Sequence, residues 1–142
     1  MMSDLMVKLQ SVDDKAMLNI TARENPAIVC DYFPPLGTGK GYTSLELLMA
    51  SFGSCVSTTL LAVLRHRKKK VVDGISTEVE GTVRQEHPKA LEHILLRLNI
   101  KAKDLTEEEV REMLSVLEDN LCPVWAMIKG NVTVSVEVGI SE

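Results

Sequence analysis

The sequence predicts an α+β chain in which antiparallel sheets pack around one long buried helix, and three patterns predict it. Apolar and polar residues alternate over 75–83, 94–102 and 132–138, the period of strands with one covered face. Two Thr-x-x-Glu sequences, Thr43/Glu46 and Thr106/Glu109, stand where the Ncap and N3 residues of a capping box belong and mark helix starts. The run from Leu45 to Leu64 has almost no polar stripe, so a helix there has to be covered on every side.

Taken in order, Leu5 to Val12, Ala16 to Ala22 and Ala27 to Phe33 read as three short strands, parted by Asp13-Asp14 and Glu24-Asn25-Pro26. Gly37-Thr38-Gly39-Lys40-Gly41 lacks G-x-x-x-x-G-K-[ST] and follows Pro34-Pro35, so it reads as a turn into the first helix rather than a phosphate loop. That helix ends in Arg65-His66-Arg67-Lys68-Lys69-Lys70, cations placed where the helix dipole is negative. Ile75, Thr77, Val79, Gly81 and Val83 then share one side of a strand. After the turn residues His87-Pro88-Lys89, Ile94, Leu96, Leu98, Ile100 and Ala102 share the inner side of its hairpin partner. The second helix has Val110, Met113, Leu114 and Leu117 on one stripe, and Val132, Val134, Val136 and Val138 alternate along a last strand. With no repeat, low-complexity tract or linker, residues 1–142 are expected to form one domain.

Composition narrows the function classes. At 142 residues, 45% hydrophobic and 25% charged, the chain suits one soluble domain with its own core. A formal net charge of −4 gives no global attraction to nucleic acid or anionic lipid. The first residues carry no basic region leading into an apolar run, and three cysteines is an odd number for a secreted disulfide framework, so a reducing cytoplasm is expected. Leu45 to Leu64 is about as long as a membrane span, but Glu46, Gly53 and five hydroxyl residues interrupt it and amphipathic strands flank it, which favours a core helix. A chain this short can hardly wrap such a helix alone, so a second copy is expected and the protein is read as an obligate homodimer.

The three cysteines differ in setting. Cys55 lies inside the apolar helix, where burial alone makes a thiol inert. Cys122 precedes Pro123, a residue suited to a first helical position, so Cys122 is read as an Ncap residue whose thiolate the free N–H groups and the dipole would stabilise. Cys30, in mid-strand, reads as packing. His66, His87 and His93 have no ligand spacing with each other or with a cysteine pair, so no metal is expected; a serine hydrolase reading lacks G-x-S-x-G.

The stretch from Pro35 through the glycine-rich turn and Leu45-Glu46-Leu47-Leu48 to Gly53-Ser54-Cys55 resembles the hallmark of the OsmC/Ohr family. Cys122-Pro123, followed by a closing Val-rich strand, is similar to that family's second motif. The resemblance implies an OsmC-like fold, an intertwined homodimer, and reduction of organic hydroperoxides without metal or organic cofactor, at the expense of a dithiol reductant. It makes Cys55 the peroxidatic thiolate and Cys122 the resolving cysteine, linked as a disulfide through a sulfenic acid. It also calls for an arginine beside the first cysteine, and Arg23, the only arginine before residue 65, is assigned that role. One departure stands out: the family's peroxidases have a glutamate ten residues before the first cysteine, and here that position is Leu45. Glu46, nine residues before Cys55, falls on the opposite helix face at about 100° per residue, so it is a capping residue first and a catalytic candidate second. The alternative function is a non-catalytic OsmC-like dimer that binds an apolar small molecule in the interfacial pocket; Leu48, Met49, Phe52 and Trp125 would line it, although a core role fits these residues equally well.

Overall fold

The computed structural model describes residues 3–142. The chain has two compact units, Met1–Leu48 and Met49–Glu142. In the first, β1 (Lys8–Ser11), β2 (Leu18–Thr21) and β3 (Ile28–Cys30) form an antiparallel sheet in that order. These strands are shorter than the apolar runs that announced them. Asp13 builds the first turn, its carboxylate accepting from the N–H groups of Lys15 and Met17. In the second, Arg23 takes φ +56°, a left-handed conformation uncommon for a residue with a side chain.

The glycine-rich stretch folds as the expected turn, and a buried carboxylate holds it. Asp31, 5% exposed, accepts from the Tyr32 N–H, the Thr38 N–H and the Thr38 hydroxyl. The Thr38 hydroxyl and the N–H groups of Tyr32, Thr38 and Lys40 hold that carboxyl below the usual aspartate value against the opposing effect of burial. Gly37 is required here, because a Cβ would come within 2.3 Å of Asp31 Oδ1 and of the Tyr32 carbonyl oxygen. The turn delivers Thr43 as the Ncap of α1 (Ser44–His66), where both halves of the expected capping box form: Glu46 Oε1 accepts from Thr43 N, and Thr43 Oγ1 accepts from Glu46 N.

In the second unit, β4 (Val72–Val83) and β5 (Leu91–Ala102) make the expected hairpin, with Val79 opposite Leu96. Along β5 the inward residues Ile94, Leu96, Leu98, Ile100 and Ala102 are all buried, as their alternation requires. Val83 departs from the expected pattern: a register irregularity after Thr82 leaves it 37% exposed. The closing strand β6 (Thr133–Ser141) pairs with β5 in parallel, so this sheet is mixed rather than wholly antiparallel. Between β5 and β6 the chain forms α2 (Glu107–Val116), capped by Thr106 and Glu109 as expected, a π-helical turn at Leu117–Leu121, and α3 (Pro123–Ile128).

Helix α1 meets the length and composition of a membrane span, and one side of it packs on β4. Gly53 lies so close to the sheet that a Cβ would fall 2.8 Å from Val79 Cγ2, and Ser57 Oγ is 2.7 Å from Thr77 Oγ1. Phe52, Gly53, Val56, Leu60, Val63 and Leu64 form its buried side. The chain does not cover the helix all round: Ala50, Ser51, Ser54, Thr58 and Ala62 form an exposed stripe of small residues. The basic end is used locally, with Lys68 paired to Glu112 and Lys70 to Glu109, and with Arg65 donating to the Val72 carbonyl.

Candidate functional site

The strongest feature of the second unit is the meeting of Cys55 and Cys122. Regular helical geometry sets Cys55 one turn after Phe52 on α1, half-buried. Cys122 arrives differently. The π-helical turn ends with the Cys122 N–H donating to the Leu117 carbonyl at 2.8 Å, five residues back, and Pro123 then starts α3 with Cys122 as its Ncap. The Cys122 thiol, 2% exposed, donates to Cys55 Sγ across 2.9 Å, and both cysteines are free thiols.

Two aromatic rings join the elements that carry these sulfurs. Phe52, three residues before Cys55, packs edge-to-face on Trp125, three residues after Cys122, with centroids 5.4 Å apart and planes at 83°. Both are buried, at 0% and 5% exposure, and pack against each other as core. Sequence spacing held a hint of the arrangement, since each cysteine has an aromatic one helical turn away. No residue pattern announced the π-helical turn.

The electrostatics of Cys122 reverse the expectation from its Ncap position. Burial pushes its pKa up to about 11, with the hydrogen bond to Cys55 next, while the backbone N–H groups of Trp125 and Val124 act in the lowering direction and lose. A six-residue helix offers little dipole, and a sulfur removed from water keeps its proton. Cys122 therefore holds its proton at neutral pH and donates a hydrogen bond to Cys55 Sγ.

The other candidates lie in the first unit. Arg23 occupies the turn between β2 and β3, beside a depression of about 490 Å³ lined by residues of the same unit, among them Lys8 and Thr21. Glu46 serves the α1 cap, and the Thr43 N–H and hydroxyl hold its carboxyl below the usual glutamate value. Leu45, at the position where the family's peroxidases have glutamate, is half-buried. Cys30 is a buried residue of β3, bridged to Tyr42, in keeping with a packing role. Among the described residues no group of three or more His, Cys, Asp or Glu side chains is placed to hold a metal ion.

Residues 37–137 match the family model described as OsmC-like protein. The chain belongs to that family. Protein YhfA of Escherichia coli (strain K12) is 25% identical over 101 residues, 70% of this chain and 75% of its own. The OsmC-like protein of Mycoplasma pneumoniae has the same fold, with a TM-score of 0.81 at 18% identity over 100% of both chains. The organic hydroperoxide resistance protein OhrB of Bacillus subtilis shares it too, with a TM-score of 0.60 at 22% identity, covering 96% of this chain and 98% of OhrB. The OsmC-like fold, α+β with two small sheets and a long helix, is thus shared across the family and includes a protein named for hydroperoxide resistance.

Proposed function

We propose that the protein is a cysteine-based peroxidase that reduces organic hydroperoxides, with hydrogen peroxide as a lesser substrate, and works as a cytoplasmic homodimer regenerated by a dithiol. The reading is carried by the 2.9 Å contact between Cys55 and Cys122, in which the buried Cys122 thiol donates a hydrogen bond to the half-buried Cys55 sulfur. In the first step the Cys55 thiolate attacks the peroxide O–O bond; the sulfur is oxidised to sulfenic acid and the alkoxide takes a proton and leaves as alcohol. Cys122 then attacks that sulfur, the S–S bond forms and water leaves, carrying the sulfenic oxygen. A dithiol reduces the disulfide, and no metal or organic cofactor takes part.

Arg23 is proposed as the cation that favours the Cys55 thiolate, and Glu46 as a capping residue. The homodimer is supported by the small-residue stripe on α1, which lets a second backbone approach closely, and by apolar side chains left in water on the first unit, Leu5 at 89% and Leu36 at 63% exposed. Consumption of cumene hydroperoxide with a dithiol present tests the reading. Turnover is expected in the parent, and Arg23→Ala should slow the first oxidation of Cys55 by roughly 10- to 100-fold, the loss of one hydrogen bond to a charged group. If the parent oxidises no faster than a free cysteine, the protein is no peroxidase and the apolar-ligand reading takes its place.

A further inference from the structure

We propose that Cys55 and Cys122 also form a ready-made dithiol site for trivalent organoarsenicals, RAs(III) species that bond two sulfurs and keep their organic group. The site is independent of the peroxidase reading, because it needs two reduced thiols and no oxidation. Its ligand class follows from the number of donors and the distance between them.

Coordination counting excludes the common thiol-seeking ions. Zinc needs four ligands, and here two sulfurs stand without a third His, Cys, Asp or Glu partner grouped with them among the described residues. A linear two-coordinate ion puts its sulfurs on opposite sides. With a metal–sulfur bond of ~2.3 Å, as for zinc, that demands a separation of about 4.6 Å. The pair stands at 2.9 Å, so α1 and the Cys122 segment would have to part by roughly 1.7 Å against the Phe52–Trp125 contact between them. Trivalent arsenic bonds two sulfurs on the same side at an acute to right angle, which asks for far less movement.

The reaction balances without a co-reactant. Written for an arsenoxide, RAs=O and two S–H groups give RAs(S)₂ and water: two As–S bonds form, the As–O bonds break, both thiol protons leave on the oxygen, and nothing is oxidised or reduced. The high proton affinity of Cys122 is no obstacle, because its proton departs with that water.

The test uses reduced protein with one equivalent of phenylarsine oxide and intact-mass detection. One phenylarsenic per chain is expected, with loss of two thiols. The adduct should survive excess monothiol and be removed by 2,3-dimercaptopropanol. Digestion should recover the Cys55 and Cys122 peptides joined through arsenic, a readout that needs no variant. Cys55→Ser and Cys122→Ser should each retain the arsenical at least about 100-fold more weakly, the loss of chelation, while Cys30→Ser binds as the parent does. An adduct joined through Cys30, or one that monothiol strips as easily from the parent as from the serine variants, overturns the proposal. Peroxide turnover without arsenical binding would leave the peroxidase standing and refute this site; binding without turnover would do the reverse.

Discussion

The two sulfurs that meet in this molecule are delivered by opposite kinds of backbone. Cys55 stands in the middle of a 23-residue helix, fixed by α-helical hydrogen bonds and by packing on β4 through Gly53. Cys122 stands where α2 has given way to a π-helical turn and a six-residue helix has yet to begin. The difference matches the division of labour proposed for them. A sulfur that meets a diffusing peroxide gains from a fixed position, whereas one that must close a bond and later reopen it gains from a backbone with local freedom.

The largest effect that could break this comparison comes from the serine variants. Cys55→Ser should abolish catalysed hydroperoxide consumption, whereas Cys122→Ser should consume one equivalent per chain and stop, with a sulfenic acid trapped by dimedone. Identical behaviour of the two would erase the assignment of roles.

Next in size is the aromatic contact that joins the two regions. Phe52→Ala and Trp125→Ala should each lower stability by about 3–5 kcal/mol in urea unfolding. The double variant should lose about 0.5–1.5 kcal/mol less than the sum, the share due to the edge-to-face pair. Strict additivity would mean that the rings only fill space and do not tie the helix to the Cys122 segment.

How much of this was legible beforehand depended on whether the determinant is periodic. The alternation in β5 picked out Ile94, Leu96, Leu98 and Ile100 because side-chain direction in a strand follows the residue count. Both capping boxes were readable for the same reason, since their bonds close over three residues. The parallel entry of β6 was not, because alternation reports a covered face and says nothing of the partner's direction. Leu117-Glu118-Asp119-Asn120-Leu121 looks like ordinary helix, and nothing in its residue types marks the π-helical turn that ends at Cys122. The Cys122 proton was misjudged because a helix position can be read from Pro123, while 2% exposure comes from residues distant in sequence.

A smaller effect sharpens the role of the α1 start. Thr43→Ala should cost about 0.5–2 kcal/mol through loss of the Ncap bond. Glu46→Gln keeps a side chain that can accept from Thr43 N, and its peroxide turnover should equal the parent's; a marked drop would return Glu46 to the catalytic set.

A last effect is confined to alkaline solution. Cys122 holds its proton more tightly in the folded chain, about 11 against an ordinary 9.0, so its contribution to stability is complete below pH 9.0 and is lost as the pH rises through about 11. Unfolding midpoints of the parent and Cys122→Ala should therefore converge across that window, and parallel lines there would show that burial does not hold the proton.

The π-helical turn also gives the segment before Cys122 a tolerance in length, since five residues close on Leu117 the turn that four would close in an α-helix. Asp119 and Asn120 face solvent, so exchanging them changes little. Removing one of them would let the cysteine N–H close an ordinary four-residue α-helical step on the same Leu117 carbonyl, which keeps the sulfur one turn above Leu117. A chain of related sequence can thus lose one residue here and still bring its second sulfur to the first.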